Sequence, residues 1–291
     1  MTDHLILHAD ALDVPSDLIA QCDVQIVDSP YGEHVHANAV STRTGGAGVR
    51  ERDLGFEALT PVLRSYIAAA TCRVKRWSVI FSDHEGTHLW REACDMYEAE
   101  YIRTVPWVRW SQPQISGDRP PTGSEAVLCF HSLGPNGKPV RKRWNGSGGL
   151  THFGQKCLRG EHKHPTEKPL DLMLAIVSAF SDPGETVLDL CGGSGTTAVA
   201  CDLLGRQCVC VERDAQWAEF AERRVTGPLS PRDATRALDW ADDTADEAEA
   251  TGLPYEKDGR EIGRPAWERG QRRLADTARV IARLRPEGNE A

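Results

Sequence analysis

The chain has 291 residues, 40% of them hydrophobic, which suffices for one large α/β domain or two smaller ones. No apolar run approaches the roughly 18 residues of a membrane span, and the start, MTDHLILHADALD, has neither the basic nor the apolar segment of a secretory signal. Nine cysteines without a CxxC pair argue against a zinc ribbon or a thioredoxin-like site, and they favour a reducing cytoplasm.

Charge is distributed unevenly along the chain. The net charge of −9 argues against a nucleic-acid partner, yet residues 103–169 hold eleven Lys/Arg and only four Asp/Glu. Residues 237–256 hold seven acidic residues and no basic one. The basic middle suits either a surface that binds a polyanion or an ordinary solvated loop region, and charge alone does not decide between them.

Apolar runs alternate with helical patterns along the first 131 residues. Strands are predicted at 4–9, 24–27, 77–81, 101–110 and 126–131, and helices at 59–70 and 86–99. The pattern then dissolves into Gly, Pro, Asn, Lys and Arg, as in GPNGKPVRKRWNGSGG. A stretch of this length without periodicity is typical of a functional or a disordered region.

Regular patterns return in the second half of the chain. Helices are predicted at 170–180, 196–204 and 215–225, strands at 186–190 and 207–211, and an Arg-rich amphipathic helix at 264–284. The acidic segment after Gly227 favours a linker. The alternation as a whole predicts an α/β fold with a parallel sheet covered on both faces.

A glycine-rich turn stands out at residues 187–197, VLDLCGGSGTT. A strand ends at Asp189, and the glycines that follow let the backbone pass close to a ligand. The next strand ends at Glu212, where an acidic residue can hold ribose hydroxyls. These features predict a nucleoside site. The absence of GK[ST] disfavours a P-loop, and GGSG in place of GxGxxG makes a dinucleotide the second choice.

A second polar segment follows the buried strand at 24–27 and reads Asp28-Ser29-Pro30-Tyr31. A carboxylate, a proline and an aromatic ring at the rim of a sheet suit a hydrogen-bond acceptor beside a flat stacking surface. Taken alone, the segment would also fit a simple type I turn.

Three segments, in their order along the chain, resemble those of the β group of amino-methylating DNA methyltransferases: DSPY at 28–31, HPTEKP at 164–169 and DLCGGSGTT at 189–197. Their order across roughly the first 225 residues is more specific than any one of them. The resemblance implies an open, mostly parallel sheet of the Rossmann-like methyltransferase type with one antiparallel strand, an inserted recognition region and a C-terminal helical tail. It also implies S-adenosyl-L-methionine as the cofactor and double-stranded DNA as the partner.

By the resemblance, the segment Asp28-Ser29-Pro30-Tyr31 is catalytic. Asp28 and the carbonyl of Ser29 would accept hydrogen bonds from an exocyclic amine, and Tyr31 would stack on the extruded base. The family usually has proline where this chain has Ser29, which leaves the carbonyl in place but loosens the loop. Aspartate at the first position favours the adenine N6 amine over the cytosine N4 amine.

The resemblance assigns cofactor-binding positions to both halves of the chain: Asp10, Thr166, Lys168, Asp189, Cys191, Gly192, Gly193, Ser194, Gly195, Thr196 and Glu212. Asp10 matches an acidic residue that reaches the adenine of the cofactor, although a helix or turn cap explains ADALD as well. Lys168 is expected to bind the carboxylate of the cofactor, with a plain helix start as the alternative. No metal site is predicted, because the histidines lack a ligand spacing.

The DNA-binding residues are expected in and before the aperiodic region: Trp110, Arg119, Arg141, Lys142, Arg143, Trp144, Lys156 and Arg159. Basic side chains suit phosphate contacts and tryptophans suit base stacking. The alternatives are core tryptophans and an exposed basic turn.

Four regions are predicted: a catalytic half (1–131), a target-recognition region (132–163), a cofactor-binding half (164–227), and an acidic linker with a C-terminal helical extension (228–291). The extension could pack on the domain, contact DNA or form a dimer seam, and a homodimer is expected by resemblance only. The expected function is methyl transfer to adenine N6 in duplex DNA with base flipping. Alternatives are N4-cytosine methylation, a catalytically impaired DNA-binding relative, a Rossmann-type oxidoreductase, and a methyltransferase for RNA or a small molecule. A nuclease partner is unknown.

Overall fold

The computed structural model describes residues 3–33, 40–41, 50–51, 57–109, 123–133, 144–146, 152–155, 164, 166–250, 254–257 and 260–284. Within these ranges the strands are β1 (Leu5–His8), β2 (Val24–Val27), β3 (Val40–Ser41), β4 (Arg50–Glu51), β5 (Trp77–Ser82), β6 (Glu100–Arg109), β7 (Ser124–His131), β8 (Phe153–Gln155), β9 (Thr186–Asp189), β10 (Gln207–Glu212), β11 (Tyr255–Lys257) and β12 (Arg260–Ile262). The pairs β3–β4 and β11–β12 are antiparallel and lie outside the main sheet.

The main sheet has the strand order β1-β10-β9-β2-β5-β7-β6-β8. Neighbours from β1 to β5 run parallel, whereas β7 is antiparallel to β5 and to β6, and β8 is parallel to β6. The predicted mostly parallel sheet with one antiparallel strand is therefore confirmed. Because β2 and β9 are parallel neighbours, the segments that follow them leave the sheet at the same edge.

The helices are α1 (Ser16–Gln21), α2 (Pro61–Arg73), α3 (Thr87–Asp95), α4 (Leu170–Phe180), α5 (Thr196–Leu204), α6 (Ala215–Thr226), α7 (Pro231–Glu249) and α8 (Arg264–Leu284), with a short 3₁₀ turn at Ala11–Asp13. Their starts follow from local chemistry. The Thr60 hydroxyl accepts from the Leu63 N–H at the start of α2, and Asp214 does the same for the first turn of α6. Among the described helices, none is both long enough and apolar enough to span a membrane.

Hydrophobic residues pack on both faces of the sheet. Val24 and Ile26 of β2 join the cluster that contains α4 and α5, whereas Val27 joins the cluster that contains α2. Gln25 lies on the second face and is fully buried, and its amide donates to the hydroxyls of Thr71 and Ser78. The alternation of side chains along β2 thus covers both faces, as the sequence predicts.

The acidic segment after Gly227 forms helix α7, so the linker prediction is wrong for residues 231–249. Ser230 caps the helix, and Pro231 stands at its first position. Ala237, Trp240 and Ala241 are buried at helical spacing, which places the acidic residues from Asp239 onward on the exposed face. The acidic composition hid this periodicity.

Helix α8 packs against α7 and α5, so the C-terminal extension is part of the domain. Its Asp276 is buried and pairs with Arg206, which precedes β10. Of the three roles that the sequence left open for this helix, packing on the domain is the one observed. The division of the chain into four regions stays a prediction.

Candidate active site

Three carboxylates meet at one edge of the sheet. Asp28 follows β2, Asp189 ends β9, and Glu212 ends β10, and these three strands are parallel neighbours. Burial, with the negative charges of Asp28 and Glu212 in addition, raises the pKa of Asp189 to about 7. Segments about 160 residues apart in the sequence therefore meet at one edge of the sheet.

The glycine-rich turn is held by the carboxylates beside it. Asp189 accepts a hydrogen bond from the Cys191 amide at 3.0 Å and from the Thr197 hydroxyl at 2.5 Å. The Gly193 amide donates to Glu212 at 2.7 Å. A Cβ on Gly192 would collide with the sulfur of Cys210, so the backbone passes closer to β10 than any side chain would allow.

Four carboxylates surround Cys191. Burial first, and then Asp189, Glu212, Asp28 and Asp10, hold the pKa of its thiol well above the usual range. Those of the four carboxylates that are ionised disfavour a phosphate and favour a cation at this turn. Asp10 itself accepts from the Leu12 amide at 2.9 Å, so the turn cap weighed for ADALD is present in the structure.

A second set of charges surrounds Asp28. The Lys168 ammonium lies 2.7 Å from Oδ2 of Asp28 and 3.4 Å from Oε2 of Glu125. The Tyr31 hydroxyl donates to Glu125 at 2.5 Å, and Arg109 lies 3.3 Å from the other oxygen of Glu125. The sequence predicts Lys168 as the partner of the cofactor carboxylate. In the structure the ammonium pairs with Asp28 and Glu125, and its contact with the cofactor stays a prediction.

The Lys168 ammonium is also enclosed by aromatic rings. Its nitrogen lies 5.1 Å from the ring centre of Phe81 and 5.5 Å from those of Tyr31 and Trp107. The Lys168 side chain is only 10% exposed, and Trp107 is buried. The Trp107 indole N–H finds no acceptor among the described residues.

The pKa values in this set follow from burial and from the neighbouring charges. Burial raises the pKa of Asp28, and Lys168 opposes this rise. Burial alone would raise the pKa of Glu125, but Lys168 and Arg109 outweigh it and lower that pKa. Burial would likewise lower the pKa of Lys168, but Asp28 and Glu125 raise it. Burial, Glu125 and Asp28 keep the pKa of Tyr31 well above its usual value, so Tyr31 remains a phenol and a donor.

The HPTEKP segment borders the glycine-rich turn. A Cβ on Gly193 would lie 3.5 Å from the His164 ring, which stacks edge-on against Trp217 with 4.5 Å between ring centres. Burial lowers the pKa of His164, so its Nδ1 accepts from the Thr166 amide at 3.3 Å. Thr166 is exposed at the rim of the turn, where the sequence predicts a cofactor contact.

Arg224 of α6 supports the turn from behind. It donates to the Ser194 carbonyl at 3.2 Å and to the Thr196 hydroxyl at 2.9 Å. Its Nη2 lies 3.1 Å from Asp233 and 3.5 Å from Glu167. The hydroxyls of Ser194 and Thr196, which the sequence places on the cofactor, therefore shape the turn through Arg224.

Two residues of this site, Glu125 and Arg224, are not predicted from the sequence. Glu125 is a single charge near the start of the apolar strand SEAVLCFH, and this isolation is the one signal that marks it. Arg224 belongs to an ordinary amphipathic helix with several exposed charges, and nothing in the pattern distinguishes it from them.

Most of the DNA-binding predictions fall on residues outside the described ranges: Trp110, Arg119, Arg141, Lys142, Arg143, Lys156 and Arg159. Trp144 is described, and its ring packs edge-on against Phe180 and Trp77, with ring centres 4.9 and 6.5 Å away. Part of the Trp144 side chain thus packs against the hydrophobic core, and its expected role in DNA contact stays a prediction.

Part of the chain is similar in sequence to known DNA methylases. A family model described as DNA methylase, for the N6- and N4-directed group, matches residues 79–223. The type II methyltransferase M2.DpnII of Streptococcus pneumoniae is 34% identical over 90 residues, which cover 31% of this chain and 32% of that protein. M2.MboI of Moraxella bovis is 39% identical over 62 residues, 21% of this chain and 23% of that one. The matched segments thus span about a third or less of these relatives.

Comparison with solved structures supports the fold. The M1.HpyAVI–SAM complex covers 77% of this chain and all of its own chain, with a TM-score of 0.58 and 22% identity. The PvuII DNA methyltransferase, described as cytosine-N4-specific, covers 80% of this chain and 89% of its own, with a TM-score of 0.52 and 12% identity. At these identities the likeness extends to the fold.

Proposed function

The chain belongs to the N6/N4 DNA methylase family, and from this premise we propose that it transfers a methyl group from S-adenosyl-L-methionine to the N6 amine of adenine in duplex DNA. The observation that carries the proposal is the position of Asp28 beside the turn at Asp189 and Glu212, on adjacent parallel strands. An acceptor for an amine and a cradle for a nucleoside thus open onto one edge of the sheet.

The turn fits the cofactor in charge as well as in shape. Glu212 faces the turn through the Gly193 amide and is suited to ribose hydroxyls. The surrounding carboxylates favour a sulfonium cation and oppose the diphosphate of a dinucleotide, which argues against the oxidoreductase alternative. When bound, S-adenosyl-L-methionine supplies a methyl group whose bond to sulfur breaks as the bond to the amine nitrogen forms, and sulfur keeps the electron pair.

The chain's own residues would prepare the amine. Asp28 and the Ser29 carbonyl accept its two N–H groups, which frees the nitrogen lone pair from the ring, and Asp28 receives the proton that the nitrogen loses. The Tyr31 hydroxyl is fixed by Glu125, which leaves the ring as a surface for the flipped base. Ser29 replaces the usual proline, and its hydroxyl donates to the Pro30 carbonyl at 3.2 Å. This contact restrains the loop that proline would otherwise stiffen.

Duplex DNA is the proposed partner, and Arg141, Lys142 and Arg143 remain the proposed phosphate contacts. The choice of adenine rests on aspartate at the first position of the catalytic segment. N4-cytosine transfer is the alternative, since that amine offers the same two N–H groups to the same acceptors.

Methyl transfer from labelled S-adenosyl-L-methionine to unmodified genomic DNA tests the proposal. We expect the wild-type protein to label the DNA and Asp28→Ala to lose about 10²- to 10⁴-fold in rate. The exposed Asp95→Ala is a matched acid-to-alanine control that should retain the wild-type rate. Hydrolysis of the DNA to nucleosides then separates N6-methyladenine from N4-methylcytosine. Equal labelling by Asp28→Ala would remove Asp28 from the mechanism, and cofactor binding without labelling would favour a DNA-binding relative.

A further inference from the structure

The charges around Asp28 form a compact set, here named the Asp28 cluster: Asp28, Lys168, Glu125 and Arg109. The side chains of Lys168 and Glu125 are 10% and 12% exposed. The four residues of the cluster come from three separate segments, namely the loop after β2, the residue pair before α4, and the paired strands β6 and β7. Lys168 is the one cation of the cluster that touches Asp28.

Lys168 occupies only one side of the Asp28 carboxylate. Its ammonium binds Oδ2, and the Tyr31 hydroxyl also acts on the carboxylate, whose two oxygens have further lone pairs that can accept an N–H of the target amine. The base can therefore bind without displacing the lysine. Lys168 therefore does not block the binding of the target base and need not move before catalysis.

Without Lys168, the surroundings of Asp28 would favour its neutral form. Burial raises the pKa of Asp28, and Glu125 raises it further. Asp189 stands on the neighbouring strand and adds a negative charge when it is ionised. A protonated Asp28 would present a donor to the amine, whereas activation of the amine nitrogen requires an acceptor.

We propose that Lys168 is a positioning residue for methyl transfer, whose ammonium keeps Asp28 a carboxylate and fixes its direction, while Glu125 anchors both Lys168 and the Tyr31 hydroxyl. The role in transfer rests on the proposed function, but the charge state of Asp28 does not. The groups that face Asp28 are Lys168 before α4, Tyr31 on its own loop, Glu125 on β7, and Asp189 on β9, with Arg109 behind Glu125 on β6.

Carboxyl NMR titration of the full-length protein, with ¹³C-labelled aspartate, measures the first consequence. The Asp28 signal is assigned by its loss in Asp28→Asn. In Lys168→Met we expect its titration midpoint to rise by about 1 to 3 pH units, since an opposite charge at this distance lowers an aspartate pKa by that amount. Lys168→Arg should keep the midpoint near that of the wild type. An unchanged midpoint in Lys168→Met would overturn the proposal.

Glu125→Gln gives an independent test that retains the lysine. Because Glu125 raises the pKa of Asp28, its neutralisation should move the Asp28 midpoint to lower pH, opposite to the effect of Lys168→Met. The two variants together therefore test sign as well as size, even if Lys168→Met folds poorly. A shift in the same direction in both variants, or none in Glu125→Gln, would contradict the arrangement.

Calorimetry with S-adenosyl-L-methionine distinguishes this role from the cofactor role that the sequence predicts. If Lys168 serves Asp28, the affinity of Lys168→Met should stay within about threefold of the wild type, and a loss of tenfold or more would assign the lysine to the cofactor. Single-turnover rates against pH should show the acidic limb displaced upward in Lys168→Met and recovered in Lys168→Arg. If the wild type transfers no methyl group while the NMR shifts occur, the proposed function fails and the charge assignment stands.

Discussion

Two buried clusters, each with both positive and negative side chains, lie at opposite edges of the sheet. The Asp28 cluster is at the edge where the parallel strands end, whereas Arg206 and Asp276 form a pair at the edge where β9 and β10 begin. Arg206 binds Asp276 through two nitrogens at 2.6 and 3.0 Å, and its remaining N–H groups reach the Leu204 carbonyl and both oxygens of Ser181. Its donors are thus saturated by fixed protein acceptors.

The Asp28 cluster is less complete. One ammonium there is shared between two carboxylates at unequal distances, and three aromatic rings enclose it. Both clusters contain a buried cation and a carboxylate, yet the N–H groups of Arg206 are all bonded to the chain, whereas the Asp28 carboxylate has lone pairs beyond its contacts with Lys168 and Tyr31. Burial of charge alone therefore does not mark a binding site, whereas hydrogen-bonding capacity left open at the carboxyl ends of parallel strands does.

The two clusters should differ most in how much they contribute to the free energy of unfolding. Asp276→Ala leaves the Arg206 charge buried without its partner and should lower the free energy of unfolding by about 3–5 kcal/mol. Asp28→Ala should cost less, because Lys168 keeps Glu125 as a partner. Urea unfolding measures both, with Asp276→Asn as a variant of equal size that retains an acceptor. A smaller loss in the free energy of unfolding for Asp276→Ala than for Asp28→Ala would contradict this prediction.

A smaller effect tests how the cofactor turn is supported. Arg224→Met removes the donors to Ser194 and Thr196, so the turn must be ordered on binding. Ordering one residue costs about 1–2 kcal/mol, and S-adenosyl-L-methionine affinity should fall about tenfold. Calorimetry on folded protein measures this loss.

Arg236→Met is the matched control for Arg224→Met. Arg236 is also buried and also pairs with an acid, Asp171 at 2.7 Å, but that pair lies between α7 and α4. Its removal should lower stability and leave cofactor affinity within about threefold of the wild type. Equal losses of affinity in the two variants would show a general effect of destabilisation.

Elements with strong periodicity could be predicted from the sequence. The bounds of α4, α5 and α8 match the prediction, because apolar residues at helical spacing stand between clear end signals. Helix α7 was missed because its acidic residues dominate the composition, although Ala237, Trp240 and Ala241 carry the helical period. Strand β8 has three residues, too few for a period to show.

The candidate site could be predicted only in part, for a physical reason. Asp28 and Asp189 each follow a strand of a parallel sheet, so their shared edge follows from topology. Which carboxylates pair with Lys168 depends on side chains from distant segments that meet at this edge. The sequence does not give the distances between them. Glu125 belongs to the antiparallel strand, whose start returns to the carboxyl edge, and the sequence gives no register for that pairing.

Binding of the cofactor should release a fraction of a proton from Asp189. The pKa of Asp189 is about 7 in the protein, so near pH 7 about half of the molecules carry a proton there. A sulfonium cation nearby favours the carboxylate and lowers that pKa, so binding should release up to about half a proton at pH 7 and almost none at pH 9. Calorimetry in buffers of different ionisation enthalpy gives the number as a slope.

Asp189→Asn tests whether this proton belongs to Asp189. The variant should show almost no slope at pH 7, whereas Asp28→Asn should retain most of it, since Asp28 is neutralised locally by Lys168.

The same pKa of Asp189 predicts how stability changes with pH. The folded protein holds the Asp189 proton up to about pH 7 and the unfolded chain only to about pH 4, so the contribution of this group to the free energy of unfolding falls as pH rises through that window. Asp189→Asn should remove that fall, and a wild-type slope retained in Asp189→Asn would place the proton elsewhere among the carboxylates around the turn.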